Sequence, residues 1–160
     1  MIKVYQTIVD PGKGNCTQAA IASLFDLPLK KVPNFIEYGT SWFSELYSFI
    51  GRNKYSFDGT LYNPRIQGSG KRHDRFQEIK EMEGVNGYFL ASVYSPKYFN
   101  RREGILTQHS VLIDKDLNVV HDPNPEYAPG IKYPEYEKLG YGGILDIFMI
   151  NPAEVHETIQ

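Results

Sequence analysis

The chain's only cysteine lies at the start of a predicted helix. Cys16 follows Gly14 and Asn15, and the run CTQAAIASLF that begins with it carries apolar residues at helical spacing. The partial positive charge at a helix N-terminus stabilises a thiolate, which is the nucleophilic form of cysteine. A lone cysteine is also commonly a small buried apolar residue without chemistry. Cys16 is therefore a candidate nucleophile, with that structural role as the alternative.

Two polar residues in the second half of the chain complete a possible catalytic group. His109 opens the segment HSVLID, Asp122 follows NVVH, and both segments have the composition of strands. A hairpin that turns at Lys115-Asp116 brings His109 opposite Asp122. A carboxylate there holds an imidazole in the orientation needed to serve a nucleophile. Cys16, His109 and Asp122 thus form a candidate triad, the alternative being a core histidine beside a surface aspartate.

His121 competes with His109 as the functional imidazole. It precedes Asp122, and alternation along a strand directs it to the opposite face, which favours a structural or supporting role. Cys16, His109, His121 and Asp122 are all residue types that bind zinc. No paired spacing such as C-x-x-C supports a metal site, so we expect neither a metal nor an organic cofactor.

Residues 95–108 run directly into His109 and contain a proline, a glycine and two adjacent arginines. A polar connection that reaches a catalytic base commonly forms a rim facing the substrate. Arg101 and Arg102 are then candidate substrate-binding residues that favour negative charge near the scissile carbonyl. An ordinary exposed connector is the alternative.

The elements that must position these residues change character along the chain. Helical patterns dominate the first half and strand patterns the second, which predicts an α+β fold with an antiparallel sheet. Asn15 is the expected N-cap of the first helix. Expected helices cover 16–25, 27–32, 41–50 and 74–82, and expected strands cover 3–9, 88–94, 107–114, 117–121 and 144–150.

Length and composition restrict the function classes. The 160 residues (18.3 kDa) suit a single domain spanning 1–160. Lys plus Arg is 17 and Asp plus Glu is 19, for a net charge of −2, so a nucleic-acid partner is not expected. One cysteine cannot form an internal disulfide, and no signal peptide or membrane-spanning stretch is evident. We expect a cytoplasmic protein without membrane contact.

The motifs together resemble those of a known superfamily. GNCTQAAIASLF, followed much later by HSVLI and VHDP, is similar to the papain-like cysteine hydrolases. The resemblance is nearest to the bacteriocin-leader-processing (double-glycine) peptidases of bacterial exporters. It extends to a group of bacterial and phage proteins that share G-N-C-x-x-A-x-x-A-S, L-P-L-x-x-V-P-x-F and V-H-D-P. It covers about residues 4–36 and 88–125, and the middle of the chain lies outside it.

The resemblance implies a papain-like fold with Cys16 as nucleophile, His109 as base and Asp122 as the orienting carboxylate. It also implies an oxyanion hole built from the Cys16 N–H and an upstream glutamine, for which Gln6 is the candidate and Asn15 or Gln18 a substitute. The implied activity is hydrolysis or acyl transfer at an amide, isopeptide or thioester bond.

The substrate would be a peptide, a protein or a small amide. The alternative is a catalytically weak binding module or a phage-type inhibitor of a host factor, on the same fold. The sequence leaves the oligomeric state open.

Overall fold

The fold is α+β, as the element pattern predicts. The computed structural model describes residues 1–8, 14–62, 75–100, 105–125 and 144–154. The helices are α1 (Cys16–Leu24) and α2 (Trp42–Arg52), and the strands are β1 (Tyr55–Tyr62), β2 (Phe89–Asn100), β3 (Ile105–Ile113), β4 (Val119–His121) and β5 (Ile144–Pro152). Short 3₁₀ helices cover Leu29–Lys31, Phe35–Ser41 and Arg75–Glu81.

The five strands form one antiparallel sheet in the order β1-β5-β2-β3-β4. α1 packs against β3 and β2, and α2 packs against β1. The helix that begins at Cys16 therefore lies over the strand that carries His109.

Alternation along the strands divides the core between the two faces of the sheet. On the helix side, Leu90 and Leu112 pack with Ile21 of α1. On the other side, Val111 and Ile113 pack with a different group that includes Phe76 of the third 3₁₀ helix. Both faces are covered by buried apolar side chains, which fixes the sheet relative to α1 and so fixes the site.

The expected first strand over residues 3–9 is wrong for its described part. Residues 3–8 belong to no strand, and three of their backbone N–H groups donate to side chains instead of to a neighbouring strand. Val4 N–H donates to Ser23 Oγ at 2.8 Å, and the N–H groups of Thr7 and Ile8 donate to Asn15 Oδ1 at 2.9 Å each. The N-terminal segment is therefore tied across both ends of α1.

The hairpin between β3 and β4 differs in register from the expected one. Leu112 pairs with His121 and Ile113 with Val119, so β4 begins at Val119. Leu117 takes a positive φ of 66° and extends the turn beyond Lys115-Asp116. A longer turn shifts the pairing, and Asp122 lies just past β4 instead of directly opposite His109.

Two further elements depart from the sequence expectation. The segment expected as a helix over 74–82 is a 3₁₀ helix, Arg75–Glu81, and α2 continues through Gly51 to Arg52.

Over the parts of the chain that the structure describes, no helix combines the length and apolar character needed to cross a bilayer.

Candidate active site

Cys16 is the first residue of α1, in the position that the sequence predicts. Asn15 precedes the helix, but its side chain does not cap it. The Asn15 Oδ1 atom instead accepts two N–H groups from the N-terminal segment. The nucleophile candidate is half-buried and sits at the positive end of the helix.

His109 and Asp122 form a direct hydrogen bond despite the altered register. The distance from His109 Nε2 to Asp122 Oδ1 is 2.7 Å, and both residues are buried. Residues related diagonally across two neighbouring strands are near enough for longer side chains to meet. The bond uses Nε2, which leaves Nδ1 as the ring nitrogen free to serve Cys16.

The turn after β4 holds the Asp122 carboxylate in place. Asp122 Oδ1 also accepts the N–H of Asn124 at 2.9 Å. The carbonyl of Pro123 accepts the N–H of Gln6 at 2.8 Å, so the turn is tied to the N-terminal segment. A carboxylate fixed in this way orients the His109 ring instead of following its motion.

The surroundings of the Cys16 thiol favour its charged form. Burial raises the pKa of the thiol, but hydrogen bonds with the His109 side chain and with the backbone and hydroxyl of Ser110 outweigh burial and hold the pKa below its usual range. Ser110 Oγ lies 2.8 Å from Thr17 Oγ1 on α1, which fixes the hydroxyl beside the thiol. A thiolate beside His109 is the reactive state of cysteine.

The pKa of His109 is shifted in the direction opposite to that of Cys16. Burial lowers the pKa of His109, whereas the hydrogen bond with Asp122, the bond with Cys16 and both charges raise it to about 10. The raised pKa of His109 and the lowered pKa of Cys16 describe one thiolate–imidazolium pair that titrates as a unit. In its charged form the pair combines a thiolate with a protonated imidazole.

Of the amides expected near the oxyanion, two are fully used as donors. Asn15 Nδ2 donates to Thr7 Oγ1 and Gln18 Oε1, each at 3.1 Å. Gln18 Nε2 donates to the carbonyls of Leu29 (3.2 Å) and Val32 (2.8 Å). Both hydrogens of each amide are engaged, which speaks against the expected oxyanion role of Asn15 and of its substitute Gln18.

Gln6 differs from these two amides. It is buried, and its Nε2 donates once, to the Ile8 carbonyl at 2.9 Å. That carbonyl also accepts the N–H of Asn15, so the Gln6 amide lies near the start of α1. Its second N–H has no partner within the described ranges. Gln6 therefore keeps a donor that an oxyanion could use.

His121 has a structural role, which agrees with the alternation of side chains along β4. Its Nε2 donates to the Val4 carbonyl at 2.7 Å, and Tyr5 packs edge-on against its ring. Burial lowers the pKa of His121. Among the described residues, no three His, Cys, Asp or Glu side chains are grouped to hold a metal ion.

Two points about the expected site residues remain. Arg101 and Arg102 lie outside the described residues. Ser110 is a site residue that the sequence analysis missed, although the signal was present: it is the polar neighbour of His109 in a strand that is otherwise apolar.

Family models, curated protein sequences and solved structures were each compared with this chain, and none of them matches it.

Proposed function

We propose that the protein is a cysteine-dependent hydrolase or acyl transferase that acts on an amide, isopeptide or thioester bond. One observation carries the proposal: Cys16, His109 and Asp122 are joined in sequence by hydrogen bonds, at the N-terminus of a helix that packs on the His109 strand. This is the order of nucleophile, base and orienting carboxylate in a triad. The papain-like resemblance of the motifs agrees with it.

The arrangement supports a two-step reaction. The Cys16 thiolate attacks the carbonyl carbon, a C–S bond forms, and the carbonyl electron pair moves to the oxygen. When that pair returns, the bond to the leaving atom breaks, and the His109 imidazolium protonates that atom, which is nitrogen in an amide or isopeptide and sulfur in a thioester. In the second step, neutral His109 takes a proton from water or an amine, which attacks the thioester and releases the Cys16 thiolate.

The developing oxyanion needs hydrogen-bond donors. The Cys16 N–H at the start of α1 and the free N–H of the Gln6 side chain are the two candidates in this site. Asp122 keeps the His109 ring oriented through both steps. A reducing compartment such as the cytoplasm suits this chemistry, because an activated thiolate oxidises readily.

The test is covalent labelling with acyl-type probes. Wild type and Cys16→Ala are exposed to peptidyl acyloxymethyl ketones, and reporters with amide, isopeptide and thioester bonds are then screened for turnover. Labelling and turnover that both require Cys16 support the proposal. A protein that neither labels nor turns over any of the three bond types is instead a binding module on this fold.

A further inference from the structure

A row of polar side chains crosses the sheet beside the nucleophile. Ser110 on β3 pairs with Ser92 on β2, and Ser92 pairs with Asp146 on β5. Directly paired residues in an antiparallel sheet project from the same face. Ser110 contacts Thr17 of α1, so this is the face that α1 covers. The row begins at the thiol, since Ser110 hydrogen-bonds Cys16.

Asp146 is the one acidic group in this row. The N–H and the hydroxyl of Ser92 both donate to its carboxyl group. Its Oδ1 atom is buried and has no hydrogen-bond partner among the described residues. The ion pairs found in the described ranges join other groups, so no cation there balances Asp146. Burial raises the pKa of Asp146, against the opposing effect of the Ser92 hydrogen bonds.

Only one of the two carboxyl oxygens of Asp146 has a structural role in the fold. The pairing of β2 with β5 shifts between Ser92 and Val93, and a carboxyl group that accepts the Ser92 N–H stabilises that irregularity. This structural role leaves Oδ1 without a function. A buried acceptor without a partner costs free energy, which a ligand that donates to it would recover.

We propose that Asp146 is a specificity-determining residue that binds a cationic group, an ammonium or a guanidinium, on the acyl part of the substrate. The inference rests on the proposed function and names a substrate class for the same site. A cation supplies both of the things that Asp146 lacks: a donor for Oδ1 and a countercharge. Tyr62, the neighbour of Asp146 on β1, is 49 % exposed and offers an aromatic ring on the same face.

Geometry sets where on the substrate the cation must lie. Asp146 is two strands from Ser110, which corresponds to ~10 Å at the usual strand spacing. An extended peptide rises ~3.3 Å per residue, so a lysine or arginine reaches this distance from the second or third residue before the scissile carbonyl. His109 must face the leaving nitrogen and is held by Asp122 on the β4 side, so the acyl part extends the other way, toward β5.

The test compares matched probes on matched variants. Two sets of four peptidyl acyloxymethyl ketones are used. Each set carries lysine, norleucine, citrulline or glutamate, at the second residue before the reactive group in one set and at the third residue in the other. The second-order rate of Cys16 labelling is measured for wild type, Asp146→Asn and the control Asp116→Asn. Asparagine keeps the acceptor for Ser92, and Asp116 lies exposed in the turn between β3 and β4, so both variants lose one negative charge.

We expect wild type and Asp116→Asn to prefer lysine over norleucine by about tenfold or more at one of these positions. Asp146→Asn should lose the preference for lysine over norleucine. Wild type without any preference for lysine, or Asp146→Asn with the preference intact, would overturn the proposal.

A second measurement does not depend on catalysis. Agmatine is titrated into isotope-labelled protein, and the backbone amide signals of Ser92 and Asp146 are followed by NMR. Saturable shifts in wild type that are absent in Asp146→Asn support the cation site even if Cys16 proves unreactive. Amide signals that do not move would overturn the cation site even if Cys16 labels rapidly. The two experiments therefore distinguish a wrong cation site from a wrong proposed function.

Discussion

His109 Nε2 and Asp122 Oδ1 are 2.7 Å apart in a buried hydrogen bond, although the two residues are not direct partners in the sheet. The bond orients the ring and raises the pKa of His109. Asp122→Asn keeps the size of the side chain but removes the charge and presents a donor or a weaker acceptor to Nε2. Turnover should fall about a hundredfold or more with thermal stability largely kept. An unchanged kcat/KM would make Asp122 a turn residue only.

The pKa of His109 can be followed directly in the protein. In an NMR titration of the ring protons, the imidazolium should persist well above its usual range, to about pH 10 in wild type. Cys16→Ser removes the thiolate, which helps to raise the pKa, so the midpoint should move down while the bond with Asp122 keeps it above 6.5. A ring that titrates near 6.5 in both proteins contradicts the ion pair.

The same shift predicts how folding stability depends on pH. The folded-state pKa of His109 is raised above its unfolded value, so the folded state binds the proton more tightly. This contribution to the free energy of unfolding is fully present below pH ~6.5 and is lost as pH rises through the folded pKa, about 10. Cys16 carries the opposite shift, which offsets this loss in wild type, so the His109 contribution is measured without the thiol. In urea unfolding at a series of pH values, Cys16→Ser should lose more stability as pH rises above ~6.5 than the double variant Cys16→Ser/His109→Gln. Parallel curves would count against the shift.

Ser110 should tune the thiol without taking part in proton transfer. Its hydroxyl hydrogen-bonds Cys16 and lowers the pKa of the thiol. Ser110→Ala should therefore move the pH midpoint of Cys16 alkylation upward, and Ser110→Thr should restore it in part. Ser48→Ala, on the exposed side of α2, is the matched control and should leave the midpoint in place. Equal midpoints in all four proteins would leave Ser110 with a packing role.

Gln6 should affect transition-state stabilisation and leave the thiolate intact. Its unused N–H is the side-chain candidate for the oxyanion, and removal of one such donor typically costs ~10²–10³ in kcat. Gln6→Ala should lose turnover on that scale and keep the alkylation rate of Cys16. A proportional loss in both measurements would mean that the Gln6 side chain only supports the shape of the site, through its bond to the Ile8 carbonyl.

From the sequence, the residues of the candidate site could be predicted more accurately than the strand register that brings them together. Cys16 at a helix start follows from apolar periodicity, and the strands around His109 and Asp122 follow from composition, since both signals are local. The expected register of the hairpin was wrong because the positive φ of Leu117 lengthens the turn. The sequence contains no favoured turn dipeptide that would indicate the longer turn.

The N-terminal segment shows why other parts could not be predicted. Residues 3–8 have the composition of a strand, but the side chains of Ser23 and Asn15 accept three of their backbone N–H groups, and such tertiary bonds leave no local pattern. Asn15 matched the preference for an N-cap, yet its side chain binds the segment before the helix. The polar row that ends at Asp146 depends on pairing across three strands, which composition does not specify.

The central claim is that Cys16 is a thiolate paired with protonated His109, and its alkylation by iodoacetamide tests this most directly. The rate is measured from pH 4 to 9 for wild type and His109→Ala, with Cys16→Ala as the blank. The ion pair predicts a wild-type alkylation midpoint below the usual thiol value of ~8.5, and a midpoint that moves up when the imidazole is removed. A wild-type rate that rises only near pH 8.5, with the same midpoint in His109→Ala, would contradict the claim.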